Sequence, residues 1–324
     1  MAKRLSTEEK LAQLSQLQTR PLSEADIKEL KKALSGPNNL VVAKAAKVSA
    51  ACHLDTLIPT LVAAFERFMQ KPAKADQRCY AKTALIEALE SLNCFHCAVF
   101  LQGIHHIQME AVFGGQEDTA ATLRADCAIA LAKQEYPDVF FELVPLLTDL
   151  EFQPRVAAIK ALTYLNEEKS ELLLRFKVLS GDDEPQVLGE CFAGLMSIAP
   201  ERSMPFVAQY LQNPEPMLVE GAALALGESR SSQALKLLQA LWEDTLDQEL
   251  KKLLLLPIAL NRSDAAFEFL LDVVACEYRD YAAAAVKALR VCSDTDEQQE
   301  KIRHIVKARN DALVTDVYRQ KFVS

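Results

Sequence analysis

The stretch Pro154-Arg155-Val156-Ala157-Ala158-Ile159-Lys160-Ala161-Leu162 decides the fold. It opens on a turn-compatible proline, contains no glycine, and sets Ala158, Ala161 and Leu162 three and four residues apart, on one face of a helix. Two small side chains one turn apart leave a shallow stripe on which a second helix can lie close. The closing pair, Ala-Leu or once Gly-Leu, returns at Ala84-Leu85, Ala130-Leu131, Gly194-Leu195, Ala225-Leu226, Ala259-Leu260 and Ala288-Leu289. Counted from Ala84 through Ala161 to Ala288, the intervals are 46, 31, 33, 31, 34 and 29. Three residues before each pair stand Ala81, Cys127, Ala158, Cys191, Ala222, Leu256 and Ala285, six of the seven being small. The same packing surface is therefore used again and again, which is the mark of a repeat array.

Upstream of each stripe a second helical segment is set off by polar or proline-bearing turns: Gln153-Pro154, Asp182-Asp183-Glu184-Pro185 and Asn213-Pro214-Glu215-Pro216. Each unit is thus a helical hairpin. A divergent first unit places a helix over Ser23 to Leu34, a turn at Gly36-Pro37-Asn38-Asn39 and a helix near Leu40 to Cys52. Ahead of it, Ser6 and Glu9 have capping-box spacing. Asp294 to Lys307 reads as a last helix with a charged tail behind it. The expectation is an all-α, right-handed α-solenoid of about eight helical hairpins along 1–324, with residues 1–22 and 293–324 capping the repeats of 23–292. Low glycine and aromatic content beside abundant Ala and Leu argues against strands.

The net charge of -9 is uneven: residues 1–133 hold 16 basic and 14 acidic side chains, the other 191 hold 20 and 31. Such a chain does not coat itself in positive charge, so nucleic acid is not the expected partner. Eight scattered cysteines in a chain long enough to bury a core point to a reducing compartment. No apolar run approaches the roughly 20 residues that span a bilayer. The charged Ser6-Thr7-Glu8-Glu9-Lys10 stands where a signal peptide needs an apolar core. The expectation is a cytoplasmic monomer, off the membrane.

The units resemble the HEAT family over roughly residues 23–292, and their short period looks most like the phycobilisome-lyase type of HEAT-like repeat. Arg78, Arg124 and Arg155 each stand six residues before the Ala of a stripe, where HEAT-like repeats often carry an arginine; Leu188, Val219, Leu253 and Ala282 replace it later. The resemblance implies a helical stack whose second helices line an inner face. It also implies two rival functions. One is a bilin lyase or chromophore chaperone, whose tetrapyrrole pocket would draw on His105, His106 and Arg124. The weaker one is a nucleic-acid protein similar to HEAT-like alkylpurine DNA glycosylases, with Trp242 in its acidic setting as the aromatic candidate.

The 46-residue interval localises an insertion at 103–118, between the helices of repeat three. It combines His105, His106, Glu110, Gly114, Gly115, Glu117 and Asp118 with Ile104, Ile107, Met109, Val112 and Phe113, so it either contacts a partner or plugs the adjacent groove. Arg78, Arg124 and Arg155, with Lys82 and Lys160 nearby, either face an acidic partner or form a ladder of forked bonds to neighbouring turns, the use to which arginine is better suited. Cys94 and Cys97, read as lying on an apolar helix, with His105 and His106 supply zinc-ligand types, but the Cys97-to-His105 spacing is short and buried cysteine is common. No metal or cofactor is expected. Neither His53 nor His304 has a nucleophile partner, and Asp182, Asp183 and Glu184 suit helix capping better than acid–base chemistry. The sequence thus reads as a non-enzymatic scaffold that binds a protein partner through its inner face and the repeat-three loop, at Arg78, Lys82, Arg124, Arg155 and the polar loop residues.

Overall fold

The computed structural model describes residues 6–323, in two compact units that part between Leu165 and Asn166. In the first unit the helices are α1 (Thr7–Gln16), α2 (Glu24–Leu34), α3 (Asn39–Ala51), α4 (Ile58–Met69), a single turn α5 (Pro72–Ala75), α6 (Tyr80–Ser91), α7 (Cys97–Ile104), α8 (Ala121–Lys133), α9 (Val139–Leu146) and α10 (Phe152–Leu165). Helices α3, α6, α8 and α10 pack one on the next, while α2, α4, α7 and α9 fold back on α3, α6, α8 and α10 respectively. The second unit repeats the plan. Its helices are α11 (Glu168–Ser180), α12 (Pro185–Ile198), α13 (Pro200–Ala208), α14 (Pro216–Glu228), α15 (Ser232–Asp244), α16 (Gln248–Leu260), α17 (Asp264–Cys276), α18 (Arg279–Leu289), α19 (Asp296–Arg309) and α20 (Ala312–Tyr318). Here α12, α14, α16 and α18 form the continuous layer, with α20 packed on α18. The architecture is the all-α helical-repeat solenoid that the spacing predicts. No helix of the described residues is long and apolar enough to cross a membrane.

The small-residue stripe is buried inside each continuous layer. Ala81, Cys127, Ala158, Cys191, Ala222 and Ala285 are all fully buried, and so are Leu85, Leu131, Leu162, Leu195, Leu226 and Leu289 beside them. Each such leucine removed from water contributes on the order of 2 kcal/mol, which is why the dipeptide recurs. In α16 the stripe breaks, because Leu256 stays 43% exposed while Leu254, Leu255 and Ile258 turn inward around Pro257. Helices α7 and α8 cross closely at Gly103. A Cβ on Gly103 would meet Cys127 Sγ at 2.4 Å, so only glycine fits there without displacement.

The ends follow local chemistry. Ser6 and Glu9 form the expected capping box on α1, and Ser23 with Asp26 forms another on α2. The charged tail contains a helix: Asp311 caps α20, which buries Val314 and Val317. One further expectation is corrected. The chain does contain strands, β1 (Met109–Val112) and β2 (Gly115–Asp118), paired as an antiparallel hairpin inside the long interval.

Candidate functional site

The insertion lies two residues further along the chain than its sequence suggests. Gly103 and Ile104 are buried at the end of α7, so the added segment runs over 105–120 and joins α7 to α8. Its hairpin turns at Phe113-Gly114, with Val112 facing Gly115 and Gly114 at φ +88°, a left-handed angle that glycine adopts without strain. Two ends of this segment differ in kind.

The root is a buried polar network built on Gln108, which is 3% exposed. Its side-chain amide donates to the Asp76 carbonyl at 2.9 Å and to Glu110 Oε1 at 2.5 Å, while its Oε1 accepts from Lys82 Nζ at 2.5 Å. Asp76, fully buried, accepts from the Ala81 and Lys82 amides at 2.9 Å each and from Asn39 Nδ2 at 3.0 Å; Lys82 Nζ lies 3.8 Å away. Glu110 Oε1 also takes the Arg78 amide at 2.6 Å and the Thr119 hydroxyl at 2.8 Å. Burial opposes the Glu110 charge, but these hydrogen bonds outweigh it and hold the carboxyl below its usual range. They also pin an unusual turn, since Arg78 and Cys79 are both left-handed at φ 57° and 53°. Burial pushes the Cys79 thiol up to about 11 and lowers the Lys82 ammonium below the usual lysine value.

The network continues along the turn edge through α8. Arg124 grips Asp149 with Nε and Nη2 at 2.8 Å each, and its Nη1 donates to Asp118 Oδ2 at 2.6 Å and the His106 carbonyl at 2.9 Å. Four of its five N–H groups are thereby committed. Arg155 reaches back to the Asp149 and Leu150 carbonyls at 2.8 and 3.1 Å. His106 Nε2 lies 3.3 Å from Gln108 Oε1, and burial together with the Lys82 charge lowers its pKa. His105 instead stands 2.8 Å from Glu142 of α9.

Several site readings are corrected by this geometry. Lys82, Arg124 and Arg155 are 0%, 3% and 5% exposed and serve the fold, so they present no charge to a partner. Arg78, although six residues before Ala84, lies outside α6 with an exposed side chain; the buried cation of that repeat is Lys82. The Asp118 side chain is turned into Arg124 and away from solvent. His105, His106 and Arg124 point to three different partners and do not form one tetrapyrrole cradle. Cys94 is buried ahead of α7 rather than within it, and Cys97 Sγ donates to Gln134 at 3.4 Å. Among the described residues no group of three or more His, Cys, Asp or Glu side chains is placed to hold a metal ion. Trp242 is buried edge-on against Phe269, under the Lys251 ammonium, as a packing residue.

The tip has the opposite character. At the turn Phe113 is completely exposed and Val112, Gly114 and Gly115 also face solvent, while Ile107 (65%) and Met109 (50%) are exposed at the root end, where Met109 pairs with Asp118, and Glu117 is exposed on β2. Gln108 and Asp76, the two residues on which the root depends, are absent from the sequence reading. A sequence signal for the turn edge does exist: Asp118, Asp149, Asp182, Asn213 and Asp247 each accept, through Oδ1, the amide two residues ahead. They stand twelve residues before the stripe residues Ala130, Ala161, Gly194, Ala225 and Ala259, and so repeat with the same intervals.

A separate feature lies on the face of α8. Asp126 buries its Oδ2 with no hydrogen-bond partner, near Glu87 and Glu90 of α6. Those two are paired with Lys47 at 3.5 Å and Lys133 at 2.6 Å. Burial, reinforced by the two glutamates, raises the Asp126 carboxyl to about 7.

Stacked helical hairpins joined by short capped turns define an α-helical repeat protein. Residues 172–256, within the second unit, match the model of the HEAT repeats family. Three solved structures are similar over most of their length. The complex of CpcE and CpcF of phycocyanin lyase from Nostoc sp. PCC7120 shares 17% identity at a TM-score of 0.38, over 99% of this chain and 96% of that one. An engineered protein shares 16% at 0.39, over 99% and 96%. Human deoxyhypusine hydroxylase in complex with glycerol shares 17% at 0.31, over 80% and 91%. No curated protein gives a significant match.

Proposed function

We propose that this chain is a non-enzymatic scaffold that binds a protein partner through the tip of the α7–α8 hairpin, with the polar residues His105 and Glu117 at the margin of the contact. The observation that carries the reading is the contrast within one hairpin. Its root is locked by Gln108, Glu110 and Asp118, while Phe113 and Val112 stand in water at the turn. Exposed aromatic and aliphatic groups on an ordered support can bind with little loss of backbone entropy, and a buried aromatic anchor is the usual energetic centre of an interface. Gly114 and Gly115 let a partner approach the turn, since a Cβ on either meets nothing within 4 Å. The buried arginines contribute indirectly, by fixing the hairpin's base on α8 and the α9–α10 turn.

The test is site-specific photocrosslinking in native extract from position 113, with position 307 on α19 as control. A discrete adduct at 113 that disappears in V112S/M109S, at unchanged melting temperature, is the expected result. Identical adducts from 113 and 307, or a captured set indifferent to those substitutions, would refute the assignment.

A further inference from the structure

The N-terminal helix covers its neighbours incompletely. Both α1 and α2 pack on α3, and between them they leave a groove of about 770 Å³. Leu14 of α1, Ala33 of α2 and Val41 of α3 line it, together with Pro37 of the α2–α3 turn. Lys10 stands on the α1 side and Lys28 and Lys32 on the α2 side, all three exposed, against the single acidic lining residue Glu29. The setting is unusual for this chain. Residues 1–47 hold nine basic and five acidic side chains in a protein whose net charge is -9. One of the five acids, Asp26, is already held by Arg20 at 2.8 Å and by the Ser23 amide and hydroxyl.

We propose that this groove is a docking site for an acidic amphipathic helix of another protein. Charge selects the sign of the partner, because an apolar floor flanked by three lysines favours carboxylates placed beside apolar side chains. The spacing selects the shape. Lys28 and Lys32 are one helical turn apart on α2, about 6 Å, which is the spacing of carboxylates four residues apart on an opposing helix. An extended peptide would find no backbone partners, since the walls are helices whose amides and carbonyls are bonded internally; a helix brings its own backbone satisfied. The eleven residues of α2 give a wall about 16 Å long, matching three turns of an occupant.

The probe is a fluorescein-labelled peptide of about 15 residues, with leucine at helical three-and-four spacing and glutamate between, titrated with the full chain by fluorescence anisotropy. Binding that weakens with added salt is expected, at least about tenfold tighter than for the same peptide with lysine in place of glutamate. K28E/K32E, which alters two exposed side chains, should lower the affinity at least tenfold while leaving circular dichroism and melting temperature unchanged. Because the groove is independent of the hairpin, F113S should bind the peptide as the parent does, so failure here leaves the tip assignment standing and the reverse. Three results would overturn the proposal. They are equal binding of the lysine peptide, undiminished binding by K28E/K32E, and absence of peptide binding alongside K28/K32-dependent binding of laurate, which would mark a site for a small amphiphile.

Discussion

Asp126 offers a measurement in which sign and size both follow from the structure. Its buried oxygen has no donor, and Glu87 and Glu90 add repulsion. Ionising it in the folded chain is therefore unfavourable compared with the unfolded chain. A carboxyl that titrates at about 7 when folded and at 3.8 when unfolded loses about 4 kcal/mol of folding stability once it is fully ionised. Residual solvent contact reduces this to about 2–3 kcal/mol. Between these two pKa values the folded state holds more protons than the unfolded one, so stability falls as pH rises across that interval. D126N keeps the side-chain shape, removes the charge and gains an amide that can donate to either glutamate. Urea denaturation followed by circular dichroism should show D126N more stable by about 2–3 kcal/mol above about pH 7, by about 1.5 kcal/mol near pH 5, and by nothing below about pH 3. A D126N protein no more stable than the parent at about pH 8, or a difference that does not move with pH, would refute the account.

Further outcomes follow from the root and the stripe. Gln108→Ala removes the acceptor of a buried ammonium and two donated bonds, so it should cost about 2–4 kcal/mol and release amide-exchange protection at Met109–Asp118 while helicity remains. Ala161→Leu forces side-chain volume into a fully buried position of α10 and should destabilise by about 1–3 kcal/mol, read as a lower melting temperature. Because its pKa is lowered when folded, His106 opposes folding once protonated. Stability should fall as pH drops below the ordinary histidine value of 6.5, and His106→Asn should remove that component of the acid sensitivity in the same titration.

The stripe was legible because burial acts on single positions. A small residue at a close crossing is required wherever the crossing recurs, so Ala158-Ala161-Leu162 and its copies announce it through spacing alone. The hairpin was not legible as strands: Met109-Glu110-Ala111-Val112 and Gly115-Gln116-Glu117-Asp118 are too short and too polar to show alternation. The Gly114-Gly115 pair at the turn was the one local sign of it. The root was hidden for another reason. Asp76, Lys82 and Gln108 lie up to 32 residues apart, and a lysine inside a helix looks solvated until its partners are known. Arg78 was misplaced because an offset counted back from Ala84 assumes an unbroken helix, whereas the chain turns left-handed at Arg78 and Cys79. The recurring Asp or Asn twelve residues before the stripe could have been read and would have identified the turn edge.

That edge has a consequence for how the first unit comes apart. In a repeat array each helix pair ordinarily opens at a cost set by its own stability and its contacts with adjacent pairs, so an end can fray alone. Here Asn39 of α3 bonds Asp76, Gln108 bonds Lys82 of α6 and the Asp76 carbonyl, and Arg124 of α8 joins Asp118 to Asp149 ahead of α10. Opening any one of these pairs strands charges in the others. The stretch from α3 to α10 should consequently exchange its slowest amide protons at one common free energy, behaving as a single cooperative block rather than as a row of independent hairpins.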